Sequence, residues 1–206
     1  MAKIIKKNDD LSKEYKRYKK KTILCMVACF LVFCLIQIIG PIALVGVVGC
    51  MILFGKCGNK VGILQSGLEG EEMTADIISA FPDSFYGFQN VKITYEGKTS
   101  EIDMIVVGPT GVFIIETKNM TGTIIGDYED QEWVHKKQVN GVTQSKKFYS
   151  PVKQVGTHVY RLANYLKDNG CSVYVASLVF FENKDADVQI SGMPAQTLVL
   201  DRSTFG

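Results

Sequence analysis

The chain has 206 residues, 47% of them hydrophobic, with 23 Lys/Arg against 21 Asp/Glu and a formal net charge of +2. That length holds an apolar anchor and one ordinary domain of about 100–200 residues. The six cysteines lack disulfide-framework or zinc spacing, and five of them lie in or beside one apolar stretch, which excludes a stapled scaffold or a zinc module.

The small net charge averages two unlike regions. Residues 1–21 carry nine Lys/Arg and three Asp/Glu, whereas the remainder carries 14 against 18. A mildly acidic folded region argues against a large non-specific grip on DNA, which more often shows a basic stripe. Residues 1–21 read as a basic cytoplasmic leader. Residues 22–54 run 33 positions without a charge, longer than the roughly 20 that span a bilayer. Gly40-Pro41 sits near the middle, where it kinks or breaks a helix. Either a helical hairpin or a single kinked span fits. The basic leader and Lys56 and Lys60 beyond the run favour the hairpin, with both ends in the cytoplasm. The expected location is therefore the cell membrane, with residues 22–54 in the lipid bilayer and the soluble domain facing the cytoplasm.

Residues 55–66 read as a linker, 67–181 as the folded domain and 182–206 as a C-terminal extension. Residues 68–81 form an amphipathic helix ended by Pro82, with Glu71 on its apolar face, where a carboxylate needs a partner. Its alternative role is to complement the helix dipole. A strand over 88–95 follows, then a turn at Glu96-Gly97-Lys98. Two apolar-alternating runs then flank Gly108-Pro109-Thr110-Gly111, a β-hairpin signature. A small accessory hairpin carries Trp133, and 139–149 read as a loop. Ser150-Pro151 is a good helix start and Asn169-Gly170 a good stop, with Val152, Val155, Val159, Leu162 and Leu166 on one stripe. Strands over 172–181 and 197–200 close the chain. The order gives an α/β sandwich around a mixed sheet.

The central hairpin carries the chemistry. If its turn is symmetric, cross-strand partners have numbers that sum to 219, so Val107 faces Val112, Asp103 faces Glu116 and Glu101 faces Lys118. All project from one face. Opposed like charges are destabilising, and a divalent cation between Asp103 and Glu116 reverses that cost. Oxygen ligands suit Mg²⁺ or Mn²⁺, and a nearby lysine can position a water and offset phosphate charge. The competing reading is a polar sheet face on which Glu101 pairs with Lys118 and the carboxylates are solvated.

Gly70-Glu71, the run from Glu101 through Asp103 and Glu116 to Lys118-Asn119, Gly122, Trp133 and Pro151-x-x-Gln154 together resemble the NERD (nuclease-related) domain of the restriction-endonuclease-like PD-(D/E)xK superfamily. The resemblance covers about residues 65–181. It implies an α-β-β-β-α-β sandwich, with Asp103, Glu116 and helix-borne Glu71 as metal ligands and Lys118 as the catalytic lysine. It also implies Gln154 as a site residue; the helical stripe alone places Gln154 outside the site. The resulting expectation is a membrane-anchored, Mg²⁺- or Mn²⁺-dependent nuclease acting on nucleic acid, with DNA the preferred substrate. The alternative is a non-catalytic module that binds nucleic acid or a protein partner at the membrane. His135 and His158 read as surface or flank residues, Cys171 as core, and Trp133 as packing rather than base stacking.

Overall fold

The computed structural model describes residues 1–6, 9–39, 42–192, 194 and 196–202. In chain order the elements are β1 (Lys3–Lys6), α1 (Asp10–Ile39), α2 (Ile42–Ser79), β2 (Tyr86–Tyr95), β3 (Lys98–Gly108), β4 (Gly111–Lys118), β5 (Gly122–Asp127), β6 (Glu132–Val139), β7 (Val142–Tyr149), α3 (Pro151–Asp168), β8 (Val175–Phe181), β9 (Ala186–Ser191) and β10 (Thr197–Asp201). They divide into two compact units: Met1–Asn8 with Glu69–Gly206, and Asp9–Leu68.

The unit Asp9–Leu68 is built from α1 and the first part of α2. Glu14 pairs with Lys60 at 3.6 Å, and Val32 lies 3.5 Å from the Cβ position of Gly46. The two helices therefore run antiparallel. The break expected at Gly40-Pro41 lies outside the described residues. Residues 55–66, expected as a linker, are helical instead, because no proline interrupts the chain between Pro41 and Pro82. Among the described residues no helix is long and apolar enough to cross a membrane. The membrane span expected over 22–54 is thus unsupported by the fold.

In the other unit, a mixed six-stranded sheet runs β1-β2-β3-β4-β8-β10 and a four-stranded sheet runs β7-β6-β5-β9. Strands β2, β3 and β4 are consecutive antiparallel neighbours, while β8 lies parallel to β4 and β10 parallel to β8. The predicted α-β-β-β-α-β order is present as α2-β2-β3-β4-α3-β8. The leader contributes β1, which pairs parallel to β2 and buries Ala2 in the core. Its two adjacent isoleucines, Ile4 and Ile5, show no alternation that would signal a strand.

The hairpin register is the predicted one: Gly108 pairs with Gly111, Val107 with Val112, Ile105 with Ile114 and Met104 with Ile115. The two sheet faces bury different clusters. Ile105, Ile114 and Val179 meet Val155 and Leu162 of α3. Met104, Val106, Ile115 and Phe180 meet Ile78 near the end of α2.

Helix α3 starts as expected, with the Ser150 hydroxyl accepting from the Lys153 amide and Pro151 in its first turn. Residues 139–149, expected as a loop, instead form the turn Asn140-Gly141 and β7. Both turn residues have positive φ, 52° and 77°, which is the two-residue hairpin geometry that Asn-Gly favours. Strand β7 is polar and exposed almost throughout, so it lacks the alternation that reveals a half-buried strand. Strand β8 starts at Val175 rather than at 172, leaving Cys171 exposed and not in the core.

Candidate functional site

The strands beyond Met104 and Ile115 set the site. The paired ladder ends at Met104–Ile115, so the expected rungs Asp103–Glu116 and Glu101–Lys118 are not formed; instead the Thr117 amide donates to Asp103 Oδ2 at 3.0 Å. The β2–β3 ladder also skips one residue, Asn90, between Gln89 and Val91. Asn90 has φ 53°, a left-handed conformation that asparagine tolerates better than most residues. Two neighbouring ladders thus lapse at the level of Asp103.

Glu116 is almost wholly buried at 2% exposure. Its Oε1 accepts from Lys118 Nζ at 2.7 Å, and its Oε2 lies 3.5 Å from His158 Nε2. Lys118 Nζ also donates to Gln154 Oε1 at 3.1 Å. Four side chains from β4 and α3 therefore form one cluster. Glu116 Oε2 and both ring nitrogens of His158 are buried without a hydrogen-bond partner, which is costly in a native interior.

The two carboxylates titrate in opposite directions. Burial drives Asp103 up to about 8, with the Glu116 charge adding to the effect; the Thr117 amide and Lys118 oppose it, and Glu71 raises it further. Burial also pushes Glu116 upward, but the His158 and Lys118 contacts outweigh it and hold Glu116 below the usual carboxylate range. One ionised and one protonated carboxyl share the site near neutrality.

Glu71 comes from α2, the helix on the other sheet face, and its Oε2 accepts from Asn90 Nδ2 at 2.8 Å. The partner that its inward position required is therefore Asn90, and its charge is felt at Asp103. Lys118 turns to Glu116 and Gln154 rather than to Glu101, which pairs with Lys92 at 3.7 Å.

The stripe on α3 also needs correcting. The buried line is Pro151, Val155, His158 and Leu162, rotated by about 50° from the stripe through Val152 and Leu166 at 100° per residue. That rotation brings Gln154 to the site and His158 under Glu116. His158, expected at the surface or flank, is 7% exposed. The i, i+3, i+7 spacing of Val155, His158 and Leu162 was the available signal for it. His135 contacts the Thr121 carbonyl at 2.7 Å. Trp133 is fully buried, donates to the Asp127 carbonyl at 2.9 Å and stacks on Phe181, so it packs the accessory sheet. An apolar cavity of about 250 Å³, lined by Ile78, Phe81, Val106 and Phe113 among others, lies on the opposite sheet face and carries no titratable group.

Among the described residues no three His, Cys, Asp or Glu side chains converge as a ready-made metal cage. The donors fit a hard cation nonetheless. Mg²⁺ is usually held by one or two carboxylates, with water and phosphate completing its shell, and Glu116 Oε2, buried without a hydrogen bond beside His158, offers it an acceptor.

The sequence profile described as the nuclease-related domain, NERD, matches residues 66–182. An uncharacterized protein of Bacillus anthracis is 35% identical over 96 residues, which cover 45% of this chain and 43% of that protein. The match thus spans less than half the length of that relative. No solved structure matches the chain. With the profile covering more than half of its residues, the chain belongs to the nuclease-related domain family.

Proposed function

We propose that the chain is a metal-dependent nuclease that hydrolyses phosphodiester bonds of nucleic acid, with DNA as the preferred substrate. The observation that carries this reading is the meeting of Glu116, Lys118, Gln154 and His158, with Asp103 on the adjoining strand. Asp103 and Glu116 would hold Mg²⁺ or Mn²⁺, with Glu71 contributing from α2. When bound, such an ion lowers the pKa of a water and stabilises charge on a phosphoryl oxygen.

The remaining work falls to the chain's own side chains. Lys118 orients the attacking water and offsets phosphate charge. Gln154 fixes the direction of the Lys118 ammonium. His158 and Lys118 together hold the Glu116 carboxylate ionised and in one orientation. The restriction-endonuclease-like PD-(D/E)xK assignment fits the α-β-β-β-α-β order and this residue set.

A second reading has its own observation. Lys118 closes on Glu116 at 2.7 Å, and Asp103 is held by the Thr117 amide. That self-contained polar cluster also suits a module that binds nucleic acid or a protein without cleaving. The test uses the full chain with linear, nicked and single-stranded DNA in Mg²⁺ or Mn²⁺, beside Lys118→Ala and Asp103→Ala. Cleavage above both variants supports the enzyme. Equal activity in all three, with no metal-dependent thermal shift, overturns it and leaves the binding module.

We further propose attachment to the cell membrane through the unit Asp9–Leu68, with the folded domain in the cytoplasm. Support comes from Leu24, Phe30, Leu31, Phe33, Met51 and Leu53, each more than half exposed. An apolar surface of this kind calls for a cover, and a bilayer is the cover we favour. Lys13, Lys16, Arg17, Lys20 and Lys21 share a surface near Leu24, where anionic headgroups would be attracted. Release of the chain from washed membranes by high salt alone, without detergent, would count against burial of the apolar surface in lipid.

A further inference from the structure

Strands β6 and β7 continue as a two-stranded ribbon past the point where they pack. Trp133 and Phe148 form the last rung with an apolar contact, edge to face. Six further rungs run from Val134–Lys147 to Val139–Val142, the first three still flanked by β5 and the outer three, from Lys137–Gln144, two-stranded. Strand β5 pairs with β6 only as far as Thr123–Lys136, so the outer ribbon has no third strand. Lys136, Lys137, Lys146 and Lys147 are all exposed, as are the apolar residues Val139 and Val142 at the tip. The ribbon buries little and has no core to explain it.

Its charge is anomalous for this domain. Residues 134–148 carry four lysines and no Asp or Glu, whereas residues 22–206 as a whole carry 14 Lys/Arg against 18 Asp/Glu. The register puts Lys137 diagonal to Lys146 on one face, and Lys136 diagonal to Lys147 on the other. Lys147 pairs with Glu132 at the ribbon's base, at 3.3 Å. Among the described residues no carboxylate lies within ion-pair distance of the other three lysines. Diagonal lysines on one face are within reach of each other and repel, and the outer three rungs have only each other for support, an arrangement at best marginally stable in water. An anion along the ribbon would relieve both problems.

The ribbon is also tied to the site. The His135 ring contacts the Thr121 carbonyl, three residues beyond Lys118, at 2.7 Å. Its root therefore stands beside the end of β4, where Lys118 meets Glu116 and Gln154.

We propose that the β6–β7 ribbon is the nucleic-acid-binding surface, with Lys136, Lys137, Lys146 and Lys147 engaging the phosphate backbone of a duplex. This rests on the nuclease reading for its choice of polyanion. The outer two-stranded rungs, with Lys137 at their start, are narrow enough for the major groove of B-form DNA, and Lys136, Lys146 and Lys147 on the three-stranded root beside them would meet the bordering phosphates. The ribbon thus supplies the grip that the acidic remainder of the domain lacks. Lysines on an edge strand can also serve only to prevent edge-to-edge association, and the variants below separate the two roles.

The experiment measures binding of the full chain to a fluorescent DNA duplex in EDTA across a salt series. It compares the native chain with the fourfold variants Lys→Gln and Lys→Glu at 136, 137, 146 and 147. Each phosphate contact contributes about −0.9 to the slope of log K against log salt. The Gln variant should therefore lose roughly 10²–10³-fold in affinity near 0.15 M salt and flatten the slope by about 3–4, at unchanged or higher melting temperature. The Glu variant should bind more weakly still with the native chain's oligomeric state unchanged, because its edge stays charged. Unchanged affinity and slope in the Gln variant would overturn the proposal, as would aggregation of that variant with binding intact. Cleavage in Mg²⁺ is scored separately. Cleavage with binding insensitive to the ribbon sinks this inference alone, whereas ribbon-dependent binding without cleavage sinks the nuclease reading and leaves the ribbon.

Discussion

At the scale of single residues, Asp103 makes the clearest pH prediction. Its folded pKa of about 8 lies far above the ordinary 3.8 because burial and the Glu116 charge disfavour ionisation. A carboxyl raised in this way contributes stability that is fully present below about pH 4 and lost as pH climbs towards 8. In the metal-free chain, thermal unfolding should show the native protein losing stability relative to Asp103→Asn across that window. A parallel pair of profiles would refute the assignment. Mg²⁺ or Mn²⁺ should offset the loss near neutrality, since metal binding competes with the proton.

Two further substitutions probe the cluster itself. Lys118→Ala should lower cleavage by about 10²–10⁴-fold, the range for a positioned proton-transfer or water-orienting group, with the fold intact by circular dichroism. His158→Ala should weaken Mn²⁺ binding by about 10–100-fold, as loss of a group that orients a metal ligand does. Titration calorimetry reads this without reference to turnover. Equal Mn²⁺ affinity in the variant would leave His158 as packing alone.

At the scale of elements, the accessory sheet depends on one aromatic side chain. The Trp133 ring lies over Gly126, where any Cβ would collide with it, and it stacks on Phe181 of the main sheet. Trp133→Ala should cost about 3–5 kcal/mol, and Gly126→Ala should also destabilise, because the ring has to leave its place. Urea unfolding measures both. Ser150→Ala removes the cap of α3 and should cost about 1 kcal/mol. Since α3 carries Gln154 and His158, activity and metal binding should fall with it. How far each element could be read varied with its burial. The hairpin β3–β4 and α3 announce themselves because one face is buried and the other is not. Strand β7, polar on both faces, has no such contrast, and only Asn140-Gly141 marked it.

At the scale of the whole molecule, β1 belongs to the same domain as the strands that follow α2. Met1–Asn8 group with Glu69–Gly206, and Ala2 is buried with Ile78 and Met104. A fragment beginning near Val61 omits β1 and leaves the β2 edge unpaired. It should melt below the full chain and associate more readily through that exposed edge. Equal melting temperatures by calorimetry would show β1 to be dispensable.

The sequence by itself determined the turn at Pro109-Thr110, the hairpin register from Gly108–Gly111 to Met104–Ile115, the α3 boundaries and the family. Each of these rests on local pattern: period-two alternation, turn chemistry, caps and the order of motifs. Only the tertiary structure decided which side chains answer the site carboxylates. Lys118 chose Glu116 and Gln154 over Glu101, Glu71 found Asn90, and His158 came to lie beneath Glu116. Those choices depend on the rotation of α3 and on the lapse of the ladders at Asp103, and both are set by how the helix and the sheet pack together.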